Sequence, residues 1–311
     1  MTEQDPIALC LAGRISPEVA LARLLLSGAS PAAVAQAVAA RRSPGPAWSR
    51  LQALASGGEG GMEALSAMIQ EAGVDHATSG APPDEAVAAI AALFDRAVAR
   101  APEASVAAYS LGDPAILATA TAELIAWLEG EGLIGPERDV LDLGCGIGRV
   151  SAALAARCRS VLGLDVSPGM IAEARRRHGS IPRLRFETTP GTGLSSLPER
   201  CFDLILAVDS FPYLVQAGAE VAERHLADAA QRLRPDGAFA ILNLSYRGDL
   251  AQDRADAARW AEHGGWQLAL NGTSPFTLWD GAAFLFLLPP PGTKGAPEPE
   301  ASTAHIPAPR P

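Results

Sequence analysis

The residues from Val140 to Gly148 have the types and spacing of a ligand-binding turn. This stretch reads V-L-D-L-G-C-G-I-G. Its glycines, Gly144, Gly146 and Gly148, allow the backbone to turn sharply and to approach a ligand without side chains in the way. The apolar residues around Asp142 predict a buried parallel strand, and a helix is predicted directly after the glycines. A strand, a glycine turn and a helix in this order place a small ligand near a helix N-terminus.

The spacing of these glycines excludes two common nucleotide-binding motifs. The dinucleotide fingerprint needs glycine at its first, third and sixth positions. Counting from Gly144 the sixth position is Arg149, and counting from Gly146 it is Ser151. The chain has no G-K-[ST] sequence, so a phosphate-binding Walker loop is excluded as well. The pattern that remains is D-x-G-x-G-x-G, beginning at Asp142.

A second carboxylate follows at the distance that a nucleoside-binding fold requires. The apolar run Ser160–Leu164 predicts the second strand and ends in Asp165, 21 residues after Gly144. In doubly wound folds an acid about 20 residues after the glycines accepts hydrogen bonds from ribose hydroxyls. A carboxylate suits this task because each of its oxygens can take one hydroxyl. The helix predicted to follow begins with Ser167 as its N-cap and Pro168 in its first turn.

Apolar runs alternate with helical segments over the rest of the chain. This alternation predicts an α/β fold with a doubly wound, mostly parallel sheet that is covered by helices on both faces. Further strands are predicted at Leu184–Glu187, Phe202–Val208, Ala238–Leu244, Trp266–Leu270 and Ala283–Leu288. Helices are predicted at Gly218–Leu233 and Arg247–His263, with a turn at Arg234–Gly237.

Three segments together resemble a known family. They are D-L-G-C-G-I-G from Asp142, L-G-L-D-V-S-P-G-M-I-A-E-A-R from Leu162, and L-R-P-D-G from Leu233. In this combination the chain resembles the class I methyltransferases that use S-adenosylmethionine (SAM), over roughly Tyr109 to Leu288. The resemblance implies seven strands, the last of them antiparallel, and SAM as the cofactor.

The resemblance also implies which residues contact SAM. Asp142 would bind the methionine part directly or through water and loop amides, Asp165 would bind the ribose, and Val166 would pack on the adenine. The full set of expected cofactor contacts is Asp142, Gly144, Cys145, Gly146, Gly148, Asp165, Val166, Thr192 and Asp209. Each of the three aspartates has a structural alternative, since a carboxylate after a strand can also cap the helix or loop that follows.

The segment after the third strand departs from the family. Many relatives have an acid there that binds the adenine amino group, whereas this chain reads E-T-T-P-G-T-G-L from Glu187. Glu187 is expected still to lie in the strand, which leaves Thr192 or Gly193 in the corresponding place. Adenine recognition is therefore expected to use Thr192, Ser210 or backbone groups.

The catalytic residues are harder to identify because methyl transfer from SAM requires few catalytic groups from the protein. A sulfonium methyl is already activated, and positioning alone can supply on the order of 7–11 kcal/mol. A general base is needed only when the acceptor must lose a proton. The candidates are Asp209, Tyr213 and Tyr109, and each tyrosine has packing as its alternative role. His225 has polar neighbours in its predicted helix, and we interpret it as a surface or helix-packing residue.

The sequence therefore predicts a SAM-dependent methyltransferase that acts on a small molecule through an O, N or C atom. Two alternatives stay open: a noncatalytic regulatory or docking subunit that binds SAM or S-adenosylhomocysteine (SAH), and a protein methyltransferase. The formal net charge of −10 argues against nucleic acid or an anionic membrane as a partner. The four cysteines form no C-x-x-C pair, so no metal site is expected. The cysteines are expected to be reduced thiols.

The first 100 residues are expected to form a helical extension before the SAM-binding domain at residues 101–288. Ser16-Pro17 and Ser30-Pro31 both have the pattern of a helix start, and helices are also predicted at Met62–Ala72 and Asp84–Arg100. The extension either packs on the catalytic domain or on a second copy of it, as in a homodimer, or serves as a substrate lid or docking module. Residues 289–311 are proline-rich and expected to be disordered.

No stretch approaches 18 uninterrupted apolar residues, the minimum for a membrane span. The N-terminus has acidic residues instead of the basic region of a secretory signal. The expected location is the cytoplasm.

Overall fold

The centre of the molecule is a seven-stranded sheet. In the computed structural model the described residues are 5–41, 43–56, 61–72 and 80–289. The strands are β1 Asp139–Leu143, β2 Ser160–Asp165, β3 Leu184–Thr188, β4 Phe202–Val208, β5 Leu233–Leu242, β6 Gln267–Thr273 and β7 Ala283–Leu287. Their order across the sheet is β3-β2-β1-β4-β5-β7-β6. The doubly wound α/β class that the alternation predicted is confirmed.

The strand directions also agree with the family expectation. Strand β1 runs parallel to β2 on one side and to β4 on the other, and β7 is antiparallel to both β5 and β6. The order of connection reverses between β1 and β4, and such a reversal opens a crevice at the carboxyl ends of the strands. Asp142 lies near this end of β1, opposite Gly163 of β2 and Leu206 of β4.

Thirteen α-helices occur in the described ranges. They are α1 Pro6–Leu11, α2 Pro17–Leu26, α3 Pro31–Ala40, α4 Pro46–Ser56, α5 Gly61–Ala72, α6 Pro83–Arg100, α7 Pro102–Val106, α8 Pro114–Gly130, α9 Arg149–Ala155, α10 Pro168–His178, α11 Phe211–Ala217, α12 Ala219–Arg232 and α13 Leu250–Gly264. The predicted helix starts at Ser16 and Ser30 are confirmed, because each serine side chain accepts a hydrogen bond from a backbone N–H of the first turn.

Several element boundaries differ from the sequence prediction. Helix α11 was not predicted, and α13 begins at Leu250 instead of Arg247 because Asp249 caps it by accepting from Gln252 N. The predicted turn at Arg234–Gly237 is a bulge within β5. Phe202 pairs with Leu233, but Leu204 pairs with Ala238, so the residues between them bulge from the ladder.

The N-terminal helices pack directly on the sheet domain. Helix α6 packs against α10 and α11, and α2 packs against the short turn Ala108–Ser110. One continuous apolar core joins the buried Leu21 of α2 to Val140 of β1. A second core on the other sheet face contains Phe239 of β5 and Phe284 of β7. The N-terminal helices thus share their interior with the sheet.

One predicted segment lies largely outside the described residues. These are residues 290–311 of the proline-rich tail. Within the described ranges, no helix combines the length and the apolar character that a membrane crossing requires.

Candidate cofactor-binding site

A cavity of about 600 Å³ opens at the carboxyl ends of β1, β2 and β4. Doubly wound folds bind ligands at this position, where the strand order reverses. The volume lies within the range of about 300–1,000 Å³ that is usual for small-molecule sites. Ten of the predicted site residues line the cavity: Tyr109, Asp142, Gly144, Cys145, Gly146, Asp165, Val166, Asp209, Ser210 and Tyr213.

The glycine turn packs tightly against other parts of the protein. Gly144 and Gly146 have φ angles of +74° and +54°, which favour glycine. A Cβ at Gly144 would lie 2.2 Å from the Cβ of Ser210, and one at Gly146 would lie 2.6 Å from a methyl carbon of Val106. Close approach of a ligand to the backbone is one reason for these glycines. The structure gives a further reason, since Ser210 and Val106 leave no room for a side chain.

Asp165 is buried below the glycine turn with both carboxylate oxygens engaged. One oxygen accepts from Gly146 N and the other from Ser167 N, each at 2.9 Å. Burial raises the pKa of Asp165 to about 6 in spite of these two bonds. An ionised carboxylate has about four lone-pair sites, so each oxygen keeps acceptor capacity for one hydroxyl. The geometry therefore combines the loop-cap role with the capacity that ribose binding requires.

Asp142 lies at the end of β1 and is 1% exposed. Its carboxylate accepts a hydrogen bond from Ser151 Oγ of α9 at 2.5 Å. Burial raises the pKa of Asp142 to about 6, and the bond from Ser151 opposes that shift. The carboxylate thus fixes the start of α9, as in the structural alternative, and it also lines the cavity.

Arg149 is a cavity residue that the sequence analysis did not select. It follows the last glycine, begins α9, and its guanidinium donates to Thr121 Oγ1 at 2.9 Å. It also hydrogen-bonds Tyr109, whose pKa is raised mainly by burial. In the sequence Arg149 occupies the position where a dinucleotide fingerprint has its third glycine, and no other signal marks it. It places a positive charge beside Asp142 in the cavity wall.

Asp209 stands at the end of β4 with a φ angle of +58°. Its Oδ1 accepts from Asn243 Nδ2 at 2.9 Å and from the Tyr246 hydroxyl at 2.8 Å. Burial raises the pKa of Asp209, while these two donors oppose the shift. Neither Asn243 nor Tyr246 was selected from the sequence, because both follow β5, more than 30 residues away from Asp209.

The two candidate tyrosines line the cavity and also pack against other aromatic rings. The Tyr213 ring meets Phe94 edge-on at 4.9 Å and Tyr246 at 5.4 Å between ring centroids. Tyr109 packs 6.1 Å from Trp279. Burial raises the pKa of Tyr213 and of Tyr109 above the usual value for a phenol. Both therefore stay protonated at neutral pH and suit hydrogen-bond donation better than proton abstraction.

Two predicted contacts lie away from the cavity lining. Thr192 faces α12, where its carbonyl accepts from Arg224 at 3.2 Å, and Thr189 and Gly191 line the cavity in its place. Gly148 packs against Phe186 of the edge strand β3, since a Cβ at Gly148 would lie 2.6 Å from the Phe186 ring. The contact of these two residues with the cofactor stays a prediction, and neither residue belongs to the cavity lining.

The N-terminal helices form one wall of the cavity, which the sequence analysis did not establish. The contributing residues from α2, α5 and α6 are Val19, Ala22, Arg23, Leu26, Met68, Val87, Ile90, Leu93, Phe94 and Ala97. Arg23 forms an ion pair of 2.5 Å with Asp280, and Ser16 Oγ donates to Leu278 O at 2.7 Å. These contacts join α2 to the β6–β7 connection, whose Trp279 and Asp280 also line the cavity.

His225 differs from its surface interpretation. It is fully buried in α12 and belongs to the cavity lining, so the surface alternative is wrong and the helix-packing alternative agrees with the structure. The four cysteines are free, and burial raises the pKa of each thiol. Among the described residues no three His, Cys, Asp or Glu side chains are grouped as metal ligands would be.

Comparison with known proteins agrees with this site. Residues 140–237 match the family described as a methyltransferase domain. Trans-aconitate 2-methyltransferase of Methylobacterium nodulans is 39% identical over 111 residues, 35% of this chain and 39% of that protein. Demethylmenaquinone methyltransferase of Tropheryma whipplei is 30% identical over 108 residues, 35% of this chain and 42% of that protein. The chain thus spans about two fifths of the length of these relatives.

A solved structure shares the fold. Phosphoethanolamine N-methyltransferase 1 of Haemonchus contortus, in complex with phosphoethanolamine and SAH, aligns with a TM-score of 0.54 and 16% identity over 69% of this chain and 51% of that one. The sheet order, the glycine turn and the strand-end carboxylates define a nucleoside-binding protein of the doubly wound class. The match over residues 140–237 identifies that part of the chain as a methyltransferase domain.

Proposed function

We propose that this chain transfers a methyl group from SAM to a small-molecule acceptor that binds in the same cavity. The observation that carries the proposal is the continuity of that cavity. Its lining includes the glycine turn and Asp165 together with Asp209, Asn243 and Tyr246, which form the Asp209 network. The N-terminal helices close one side, which favours a small acceptor over a protein segment.

The residues around the glycine turn and Asp165 fit the cofactor because they have unused hydrogen-bond capacity. Asp165 has one acceptor direction per oxygen for the two ribose hydroxyls, since backbone N–H groups occupy the others. Arg149 offers a guanidinium to a carboxylate such as that of the methionine part. Asp142 offers a carboxylate to the ammonium of the same part, directly or through water. Val166 and Gly191 form an apolar wall suited to a flat base.

The residues of the Asp209 network are suited to orienting an acceptor. SAM supplies a methyl group that is already activated by its sulfonium. The Asp209 carboxylate is fixed by Asn243 and Tyr246, so it can accept a hydrogen bond or a proton from an acceptor without moving. The protonated hydroxyl of Tyr109 offers a donor, and the Tyr213 hydroxyl is hydrogen-bonded to Tyr246. Positioning of this kind can supply on the order of 7–11 kcal/mol of the rate enhancement.

The division of the chain belongs to this proposal. We propose residues 101–288 as the SAM-binding domain and residues 1–100 as a helical extension that completes the acceptor side of the cavity. Association of two copies through these helices stays a prediction, which the oligomeric state in solution would test.

The proposal is tested in two stages. Calorimetric titration of the purified chain with SAM and SAH should first show a single binding site. Transfer of a labelled methyl group to a panel of small amines, alcohols, carboxylic acids and carbon nucleophiles should then show turnover, with peptides as the comparison set. Binding without transfer to any class would favour the regulatory alternative, and transfer only to peptides would favour the protein methyltransferase.

A further inference from the structure

His225 has an unused hydrogen-bond acceptor at the cavity wall. Its Nδ1 lies 2.8 Å from the carbonyl oxygen of Val221, one turn earlier in α12. A carbonyl oxygen only accepts, so Nδ1 carries the proton and donates it. Burial lowers the pKa of His225 and keeps the ring neutral. In the neutral ring with this tautomer, Nε2 is an acceptor with a bare lone pair.

That Nε2 is buried and unsatisfied within the described part of the chain. It has no hydrogen-bond partner there, and His225 as a whole is fully buried. A buried polar atom without a partner costs free energy, roughly 1–3 kcal/mol by mutational data. Native proteins leave few such groups, so one in the wall of a ligand cavity calls for a ligand that satisfies it. The required ligand group is a hydrogen-bond donor.

The position of His225 selects which part of a SAM molecule that donor belongs to. Val221, one turn before His225, packs in a small apolar cluster with Val87, and Val166 contacts the same cluster. The next turn of α12 contacts the segment after β3, where Asp228 accepts from Leu194 N at 2.6 Å. His225 therefore lies between the residue that follows the ribose carboxylate and the loop after β3.

The loop after β3 does not supply an acidic acceptor of its own. Residues 188–194 read T-T-P-G-T-G-L and contain no carboxylate. Its Thr189 hydroxyl accepts from Gly191 N at 3.3 Å within the loop. An adenine that packs on Val166 presents its exocyclic amino group, a donor, toward this region of the wall. Nε2 of His225 is a buried acceptor without a partner in this region of the wall, within the described residues.

We propose that His225 Nε2 accepts a hydrogen bond from the adenine amino group of the cofactor and so selects adenine over hypoxanthine. The inference rests on the proposed function, since it concerns the cofactor of that site. His225 is here a binding and specificity residue with no part in the methyl transfer.

The test compares two ligands and two variants by calorimetric titration of the full chain. SAH carries the amino group, and S-inosylhomocysteine carries a carbonyl oxygen in its place. His225→Phe keeps a ring but removes the acceptor, and it should weaken SAH binding by about threefold to tenfold. The same variant should leave S-inosylhomocysteine binding unchanged or slightly tighter, because the carbonyl oxygen and Nε2 are both acceptors and form no hydrogen bond with each other. His225→Gln, whose amide oxygen can replace Nε2, should recover most of the SAH affinity.

The outcomes separate this inference from the proposed function. Equal loss of both ligands in His225→Phe, or no loss of either, would overturn the role of His225 while SAM binding stands. No binding of SAH by the wild-type chain would overturn both. If His225→Phe does not fold, nitrogen NMR of the wild-type imidazole decides. The Nε2 resonance should shift on addition of SAH and not of S-inosylhomocysteine, and an equal response to both would contradict the proposal.

Discussion

Replacement of Asp165 by alanine should weaken cofactor binding on the order of a hundredfold while the chain remains folded. The carboxylate already accepts from Gly146 N and Ser167 N, and it has one acceptor direction per oxygen for a ribose hydroxyl. Hydrogen bonds to charged groups contribute about 1.5–3 kcal/mol each. Loss of two of them removes at least about 3 kcal/mol, which corresponds to a Kd on the order of a hundredfold weaker.

The effect on folding is smaller because two contributions oppose each other. Alanine leaves two backbone N–H groups without an acceptor, at a cost of about 1–3 kcal/mol each. It also removes a buried carboxylate whose pKa is raised from 3.8 to about 6 by desolvation. A raised pKa means that the charge destabilises the folded state at neutral pH, here by about 3 kcal/mol. The variant should therefore remain folded, with a change in unfolding free energy of no more than about 3 kcal/mol.

Calorimetric titration with SAH at neutral pH measures the affinity, and urea denaturation measures the stability. Asp84→Ala is the matched control, since Asp84 is an exposed aspartate in the first turn of α6, outside the cavity lining. The control should bind SAH like the wild type. An Asp165→Ala variant with wild-type affinity for SAH would refute the ribose assignment.

Three further predictions concern the other parts of the site. Burial raises the pKa of Asp142 from 3.8 to about 6, so its charge lowers stability as the pH rises from about 4 to about 6, and the full loss is present above that range. Denaturation curves should therefore show Asp142→Asn to be more stable than the wild type by about 3 kcal/mol at neutral pH and equal to it near pH 3, where the folded and unfolded states are both protonated, and a pH-independent difference would contradict the shifted pKa. Tyr246→Phe removes a donor to Asp209 and should lower kcat about tenfold with unchanged SAH affinity, whereas an equal loss of SAH binding would move Asp209 to the cofactor side. A chain lacking residues 1–80 should lose cooperative unfolding because Leu21 belongs to the core of the sheet domain, and a cooperatively folding truncated chain would show that the extension is dispensable.

The sequence predicted those parts of the site that depend on local order along the chain. The glycine turn, Asp142 and Asp165 each lie directly after a short apolar run, and period-two and helical spacing set the order of strands and helices. The carboxyl ends of parallel strands meet at one edge, so these residues had to come together once the sheet was predicted.

The remaining site residues come together through contacts between distant segments. Asn243 and Tyr246 bond to Asp209 across more than 30 residues, and Arg23 reaches Asp280 across 257. No local pattern marks such pairs, because their contact depends on how β5 and the N-terminal helices pack on the sheet. The same holds for Thr192, since the turn of the loop after β3 decides which of its residues faces the cavity.

His225 is different, because a sequence signal for its burial was present. Its neighbours Glu223, Arg224 and Asp228 suggested a surface position. However, Val221, His225 and Ala229 follow each other at a spacing of four residues and share one face of α12. All three are buried. The helical period of the apolar residues was thus a better guide to the environment of His225 than the polarity of its immediate neighbours.

A crystal structure of the chain with bound SAH would show whether the cofactor occupies this cavity. We expect the ribose hydroxyls within hydrogen-bond distance of Asp165 and the sulfur facing the part of the cavity with Asp209 and Tyr246. SAH bound elsewhere, or with its ribose away from Asp165, would refute the assignment of this cavity to the cofactor.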